Sequence, residues 1–236
     1  MRLNTSYDFR TDTRPGYDPD KDSPTLRRYH QALWSKPLPS GAMFELDAPK
    51  RGGDYLVYDS QSGPIRLSSD TAVPTFGTSV KHLNEQFPRE TIERFHELQY
   101  SIGGMMVWPS TIVDGKQTIN GAKGFRPRIG DRLDLTVECI RQHYAGATSP
   151  LADVLERYSA FFALFGDFDG YVEFFLLQDI LSRNSSEVSF FLPFNNFAMP
   201  SKPQDLAQYR EYIGNAVEFI EARNRRIDSL GIDIAE

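Results

Sequence analysis

The chain has 236 residues, 40% of them hydrophobic and 25% charged, which excludes a disordered, fibrous or disulfide-scaffolded protein and leaves enough apolar material for a substantial core. Its 26 lysines and arginines stand against 32 acids, a net charge of −6, which argues against coating nucleic acid or anionic membrane through the whole surface. Cys139 is the only cysteine, so an intramolecular disulfide and a four-cysteine metal site are both excluded and a reducing compartment is expected.

The first ten residues contain no apolar run of the kind a secretory signal needs, which makes a cytoplasmic location the expectation. Residues 1–22 read as an extended arm pinned by Tyr7, Phe9 and Tyr17, and residues 23–236 as a single domain. Ser23-Pro24 starts a helix, since Ser can cap free amides and Pro suits the first turn, and the helix should stop before Pro37. Lys36 to Gly41 reads as a stiff connector. Tyr55 and Val57, then Ile65 and Leu67 after a turn at Gln61 to Pro64, alternate as a hairpin does. Pro88 opens a helix with Ile92, Phe95 and Leu98 inward and Glu90 supporting Arg94. Ile102 to Trp108 predicts a central strand, its Gly103-Gly104 marking a bulge or a close approach of other backbone.

Further on, Asp131 is placed to cap a helix running to about Tyr144, and Ser149-Pro150 starts another whose apolar face continues to Phe165. Asp167 to Gly170 predicts a turn capping a third, largely buried helix from Tyr171 to Leu181. Val188 to Phe194 alternates as a strand, and about Asp205 to Ile227 predicts a long closing helix. Phe161 to Leu181, the most apolar stretch, is broken by Gly166, Asp167, Asp169, Glu173 and Asp179, so it reads as core and no membrane partner is expected. The order of elements predicts an α+β fold with a small antiparallel sheet and a helix-rich C-terminal half.

Four blocks, Ser23 to Phe44, Ile102 to Pro109, Asp131 to Tyr144 and Phe161 to Asp179, together resemble an uncharacterised family of bacterial proteins that carry a domain of unknown function. The resemblance spans most of the chain. It implies a bacterial, cytoplasmic protein and supplies no catalytic residue.

Chemistry has to be sought site by site. Lys116 and Lys123 lack the glycine spacing and following Ser or Thr of a phosphate-wrapping loop, Gly103-Gly104 lacks the third glycine of a dinucleotide fingerprint, and no GxSxG elbow occurs. Cys139 and His143 lie one helical turn apart, too few for a metal, so neither metal nor cofactor is expected. Asp134 and Glu138, with Arg141 in reach, read as a solvated helix face. Glu173, among Tyr171, Val172 and Phe174 to Leu177, is either a buried structural ion-pair partner, the favoured reading, or the candidate catalytic carboxylate.

The most informative feature is a local inversion of charge. Lys116, Lys123, Arg126, Arg128 and Arg132 face Asp131 alone, just before a helix start. Free helix amides with arginines beside them can hold a phosphate or carboxylate, with Asn120 adding an amide and Phe125 a stacking surface. A second group, Arg27, Arg28, Tyr29, Trp34 and Lys36, would suit a nucleotide or single-stranded nucleic acid if it converged with that loop. The expected function is therefore binding of, or action on, a phosphate-bearing ligand through Asn120, Arg126, Arg128 and Arg132, with catalysis left open. The alternative is a non-enzymatic interaction protein that docks a partner or a second copy of itself.

Overall fold

Both ends of the chain meet in the computed structural model, which describes residues 2–49, 55–183 and 185–234. Arg2 bridges to Asp233, and the Leu3 amide donates to the Ile232 carbonyl at 3.0 Å. The arm is folded rather than extended: Phe9 is fully buried in a 3-10 turn (Phe9–Asp12), and α1 (Pro19–Asp22) is one helical turn that packs on the central sheet. Tyr17, expected to pin the arm, stays 57% exposed.

Helix α2 (Pro24–Trp34) starts as its sequence dictates, the Ser23 side chain accepting from the Leu26 amide. The expected connector after it forms a small hairpin of β1 (Lys36–Pro37) with β2 (Met43–Phe44). The main sheet is antiparallel in chain order: β3 (Leu46–Asp47), β4 (Leu56–Ser60), β5 (Gly63–Thr71) and β6 (Met105–Pro109). Strand β6 lies at the edge and not in the centre, yet all its residues are buried. Ile102–Gly104 form a 3-10 turn in place of the strand's first residues. Gly103 marks a close approach, since a Cβ there would stand 2.6 Å from the Ile220 carbonyl of the last helix.

Two short helices, α3 (Lys81–Asn84) and α4 (Arg89–Gln99), separate β5 from β6. In α4, Arg94 pairs with Glu221 at 2.6 Å and not with Glu90. The C-terminal half then contains α5 (Ile119–Phe125), α6 (Leu133–Tyr144), α7 (Ala152–Glu156), α8 (Ser159–Phe162), α9 (Phe168–Phe174) and α10 (Leu206–Ser229). The expected continuous helix from Pro150 to Phe165 is broken into α7, α8 and a 3-10 turn, whose Phe161 and Phe165 pack on Tyr171 and Phe175 of the next segment. Helix α9 stops at Phe174, well short of Leu181. The segment from Val188 to Phe194 makes a single bridge, Leu181 to Val188, in place of a strand, and Phe190 and Phe194 stack on each other 3.9 Å apart. The architecture is α+β with small antiparallel sheets and a helix-rich C-terminal half.

Two buried polar groups lock the elements together. His30 on α2 accepts from the Trp34 indole at 3.1 Å and reaches the Ser69 hydroxyl on β5 at 3.0 Å; burial pushes its imidazole down to about 3, so it is neutral. Arg223 on α10 is fully buried and donates to the carbonyls of Gly103, Met105, Phe175 and Leu176 and to the Met106 sulfur. All five guanidinium N–H groups are thereby used, and one side chain ties α10 to β6 and to the end of α9.

Candidate acidic cleft

Alternation along β5 sends Ser69 inward to His30 and leaves Asp70 on the opposite face. There α5 delivers Lys123, because Thr118 caps that helix by accepting from the Gly121 amide and so fixes its first turn. Lys123 is 1% exposed and donates to Asp70 at 2.5 Å and to Asp131. The two acids hold the ammonium above its usual range against the opposing effect of burial, so Lys123 stays charged and is no amine nucleophile. Asp131 does not cap α6; Arg132 holds that position without a side-chain bond. Asp131 has instead a left-handed backbone, φ 68°, which aims its carboxylate at Lys123.

The arm completes the site. Helix α1 sets Asp20 against this face of β5, with Asp18 just before it. Asp18, Asp20, Asp70, Phe76, Tyr100, Asp131 and Lys202 line a cleft of about 380 Å³. Phe76, like Asp131, has positive φ, 57°, and its ring sits 4.9 Å from that of Tyr212. Asp20 is only 4% exposed, and its Oδ1 has no hydrogen-bond partner. Burial, followed by the carboxyl-to-carboxyl contact with Asp18, pushes Asp20 up to about 9, so it keeps its proton at neutral pH. Asp70, too, is raised by burial, against the pull of Lys123. Four acids and Lys202 thus line the cleft, while Lys123 bridges two of the acids from behind and the exposed Lys21 stands 3.9 Å from Asp18.

A second hollow, of about 300 Å³, shares Asp70, Gly124 and Asp131 with the first and adds Asn120, Gly121 and Phe125. The Asn120 Oδ1 is buried there without a partner. Among the described residues no three Asp, Glu, His or Cys side chains are grouped as metal ligands; Lys123 stands where a cation would bridge Asp70 and Asp131. A larger hollow, about 590 Å³, lies elsewhere, along Asp179, Arg183, Ser185 and Glu218. Its Asp179 is neutralised by Arg226 at 2.9 Å and its Glu218 is exposed, so it holds no buried charge without a partner.

The residues expected to hold an anion do not meet in one site. Arg132 is buried in an ion pair with Asp134, which also accepts from the Phe191 amide at 2.9 Å. Arg126 pairs with Asp153 at 2.9 Å and bonds the Pro150 carbonyl. Arg128 is exposed, with no hydrogen bond or ion pair to a described residue, and Asn120 alone of the four borders the cleft system. Tyr29 and Trp34 are core residues, and Arg27 donates to the Tyr55 and Pro49 carbonyls, so the group on α2 does not converge with the loop. Asp134 and Glu138 are buried, not solvated: Glu138 is satisfied by Arg141 and Gln142 at 2.8 Å. Glu173 is exposed, so no burial penalty demands a partner for it. Cys139 is buried, its thiol pushed up to about 12.

Sequence reasoning missed Asp18, Asp20 and Asp70 and read Lys123 and Asp131 as parts of other features. The only sequence signal was the recurrence of Asp in the arm beside Pro19. The model of a family of unknown function, DUF6994, matches residues 3–227. The chain belongs to that family. The match includes every residue of the cleft and all four blocks that carry the resemblance. No curated protein and no solved structure matches the chain. No described helix is long and apolar enough to cross a membrane.

Proposed function

We propose that the protein binds a ligand bearing an amine or guanidinium group in the acidic cleft, with Asp18 and Asp20 as its cation partners and Phe76 and Tyr100 as its aromatic wall. The observation that supports this is the Asp20 Oδ1, buried in the wall of the cleft with no donor. An unmet buried carboxyl oxygen carries a desolvation cost, and groups left in that state mark sites completed by something else. The lining itself, four acids to the one Lys202, favours a cationic partner, and ring faces add attraction for it. Lys123 serves as a fixed counterion that holds the Asp70 and Asp131 walls in place. Binding of such a cation would favour the charged form of Asp20, whose proton would leave to solvent, and the ligand would then pair with both carboxylates.

The other reading, a phosphate-bearing ligand on Asn120, Arg126, Arg128 and Arg132, is supported by the exposed Arg128 alone and requires Arg126 to leave Asp153. One titration series separates the two. Melting temperature is recorded with spermidine, with arginine, with inorganic phosphate, with a nucleotide, and with sodium chloride at matched ionic strength. A rise with the amines that chloride does not reproduce, and that Asp20→Asn removes, is the expected outcome. A rise with phosphate or nucleotide alone would return the function to the basic loop, and equal curves throughout would reject both.

A further inference from the structure

The second hollow supplies the other half of the ligand. Phe125, the last residue of α5, is 77% exposed and makes no ring contact with any described residue. The Asn120 Oδ1, one turn earlier, is buried and lacks a donor. Between them lie Gly121 and Gly124, neither with a positive φ. A Cβ at Gly121 would meet nothing nearer than the Thr118 Oγ1 at 3.6 Å, and one at Gly124 nothing nearer than Asp131 at 3.8 Å. These are ordinary contacts, so neither backbone conformation nor crowding accounts for glycine in a helix that alanine would stabilise. What the two glycines do provide is open floor in the hollow beside a bare ring.

We infer that the ligand is an aromatic amine whose cation sits against Asp18 and Asp20 while its flat ring lies over Gly121 and Gly124, stacks on Phe125 and donates a ring N–H or O–H to Asn120 Oδ1. This rests on the amine reading above. The two hollows share Asp70, Gly124 and Asp131 in their walls, so the ligand proposed is one whose link between ring and amine crosses those three residues. Stacking alone distinguishes a ring from an alkyl chain of similar length by about tenfold in affinity.

Calorimetric titration of the intact protein with tryptamine and with n-hexylamine tests it, since the two share the cation and differ in the ring. Tryptamine should bind about tenfold tighter. Phe125→Ala and, separately, Gly124→Ala should bring tryptamine down to the hexylamine value, with unaltered circular dichroism and an unchanged or higher melting temperature for Gly124→Ala. Asp20→Asn should abolish binding of both. Equal affinities in the unmodified protein, or a preference that survives both substitutions, would overturn the ring assignment and leave the amine reading standing. Failure of both amines to bind would overturn the amine reading and the ring assignment with it.

Discussion

Arg223 and Asp20 are both ionisable groups taken out of water, and the fold treats them in opposite ways. Around Arg223 every donor has an acceptor, four of them backbone carbonyls, and the burial of a cation is matched to the geometry of β6 and the end of α9. Desolvation lowers its guanidinium to about 10, still charged at neutral pH. Around Asp20 the acids Asp18 and Asp70 outweigh Lys21, one oxygen has no donor, and the group gives up its charge. A closed set of partners identifies a structural charge; an open one identifies a place where the fold alone does not complete the chemistry.

The largest effect expected from breaking that comparison is at the closed site. Arg223→Met removes all five donors and strands four carbonyls in the core, so urea unfolding should show a loss of about 3–5 kcal/mol. A loss below about 1 kcal/mol would mean that water replaces the guanidinium and the site is not closed at all.

At the open site the sign reverses. The Asp20 carboxyl is raised from 3.8 to about 9, so its favourable contribution is complete below 3.8 and is lost as pH rises towards 9, by up to about 1.4 kcal/mol per pH unit. Asp20→Asn keeps the shape and has nothing to ionise. The variant should therefore be more stable than the unmodified protein, with a gap that widens between pH 5 and 8, when melting temperature is followed against pH. A gap that narrows over that range would show Asp20 ionised and paired in the fold. The smallest effect should come from Arg126→Ala: its partner Asp153 has a side chain 63% exposed, so unfolding should register about 1 kcal/mol or less.

The sequence disclosed most where one short stretch decides the outcome. Ser23, Asp167 and Asp205 each accept from an amide three residues on, as local chemistry requires, and the β4–β5 hairpin follows from alternation and its turn. It disclosed least where partners come from afar. The segment around Phe161 is apolar enough for one long helix, but packing of Phe161, Phe165, Tyr171 and Phe175 against one another divides it. Charge counting grouped Lys123 with Arg126 and Arg132, although each is neutralised by a different acid: Asp70 and Asp131, Asp153, and Asp134 respectively. No pattern within the arm indicates that Asp20 will be buried, since the face that buries it is on β5. Asn120 and Phe125 were recognised as a polar and a stacking group; that they border an acidic hollow is a property of the tertiary fold.

The docking of α1 has a consequence for the dynamics of the chain. The cleft is contributed by the arm, by β5 and the turn after it, by the end of α4, by the segment joining α5 to α6 and by Lys202 ahead of α10, so any molecule held there spans five separate parts of the sequence at once. Its binding energy would resist the local lifting of the arm, the motion that exposes backbone near Gly16 and Tyr17 to proteases and to solvent exchange. Amide exchange in residues 14–22 is therefore where occupancy of the cleft would register first, ahead of any change in the helices of the C-terminal half.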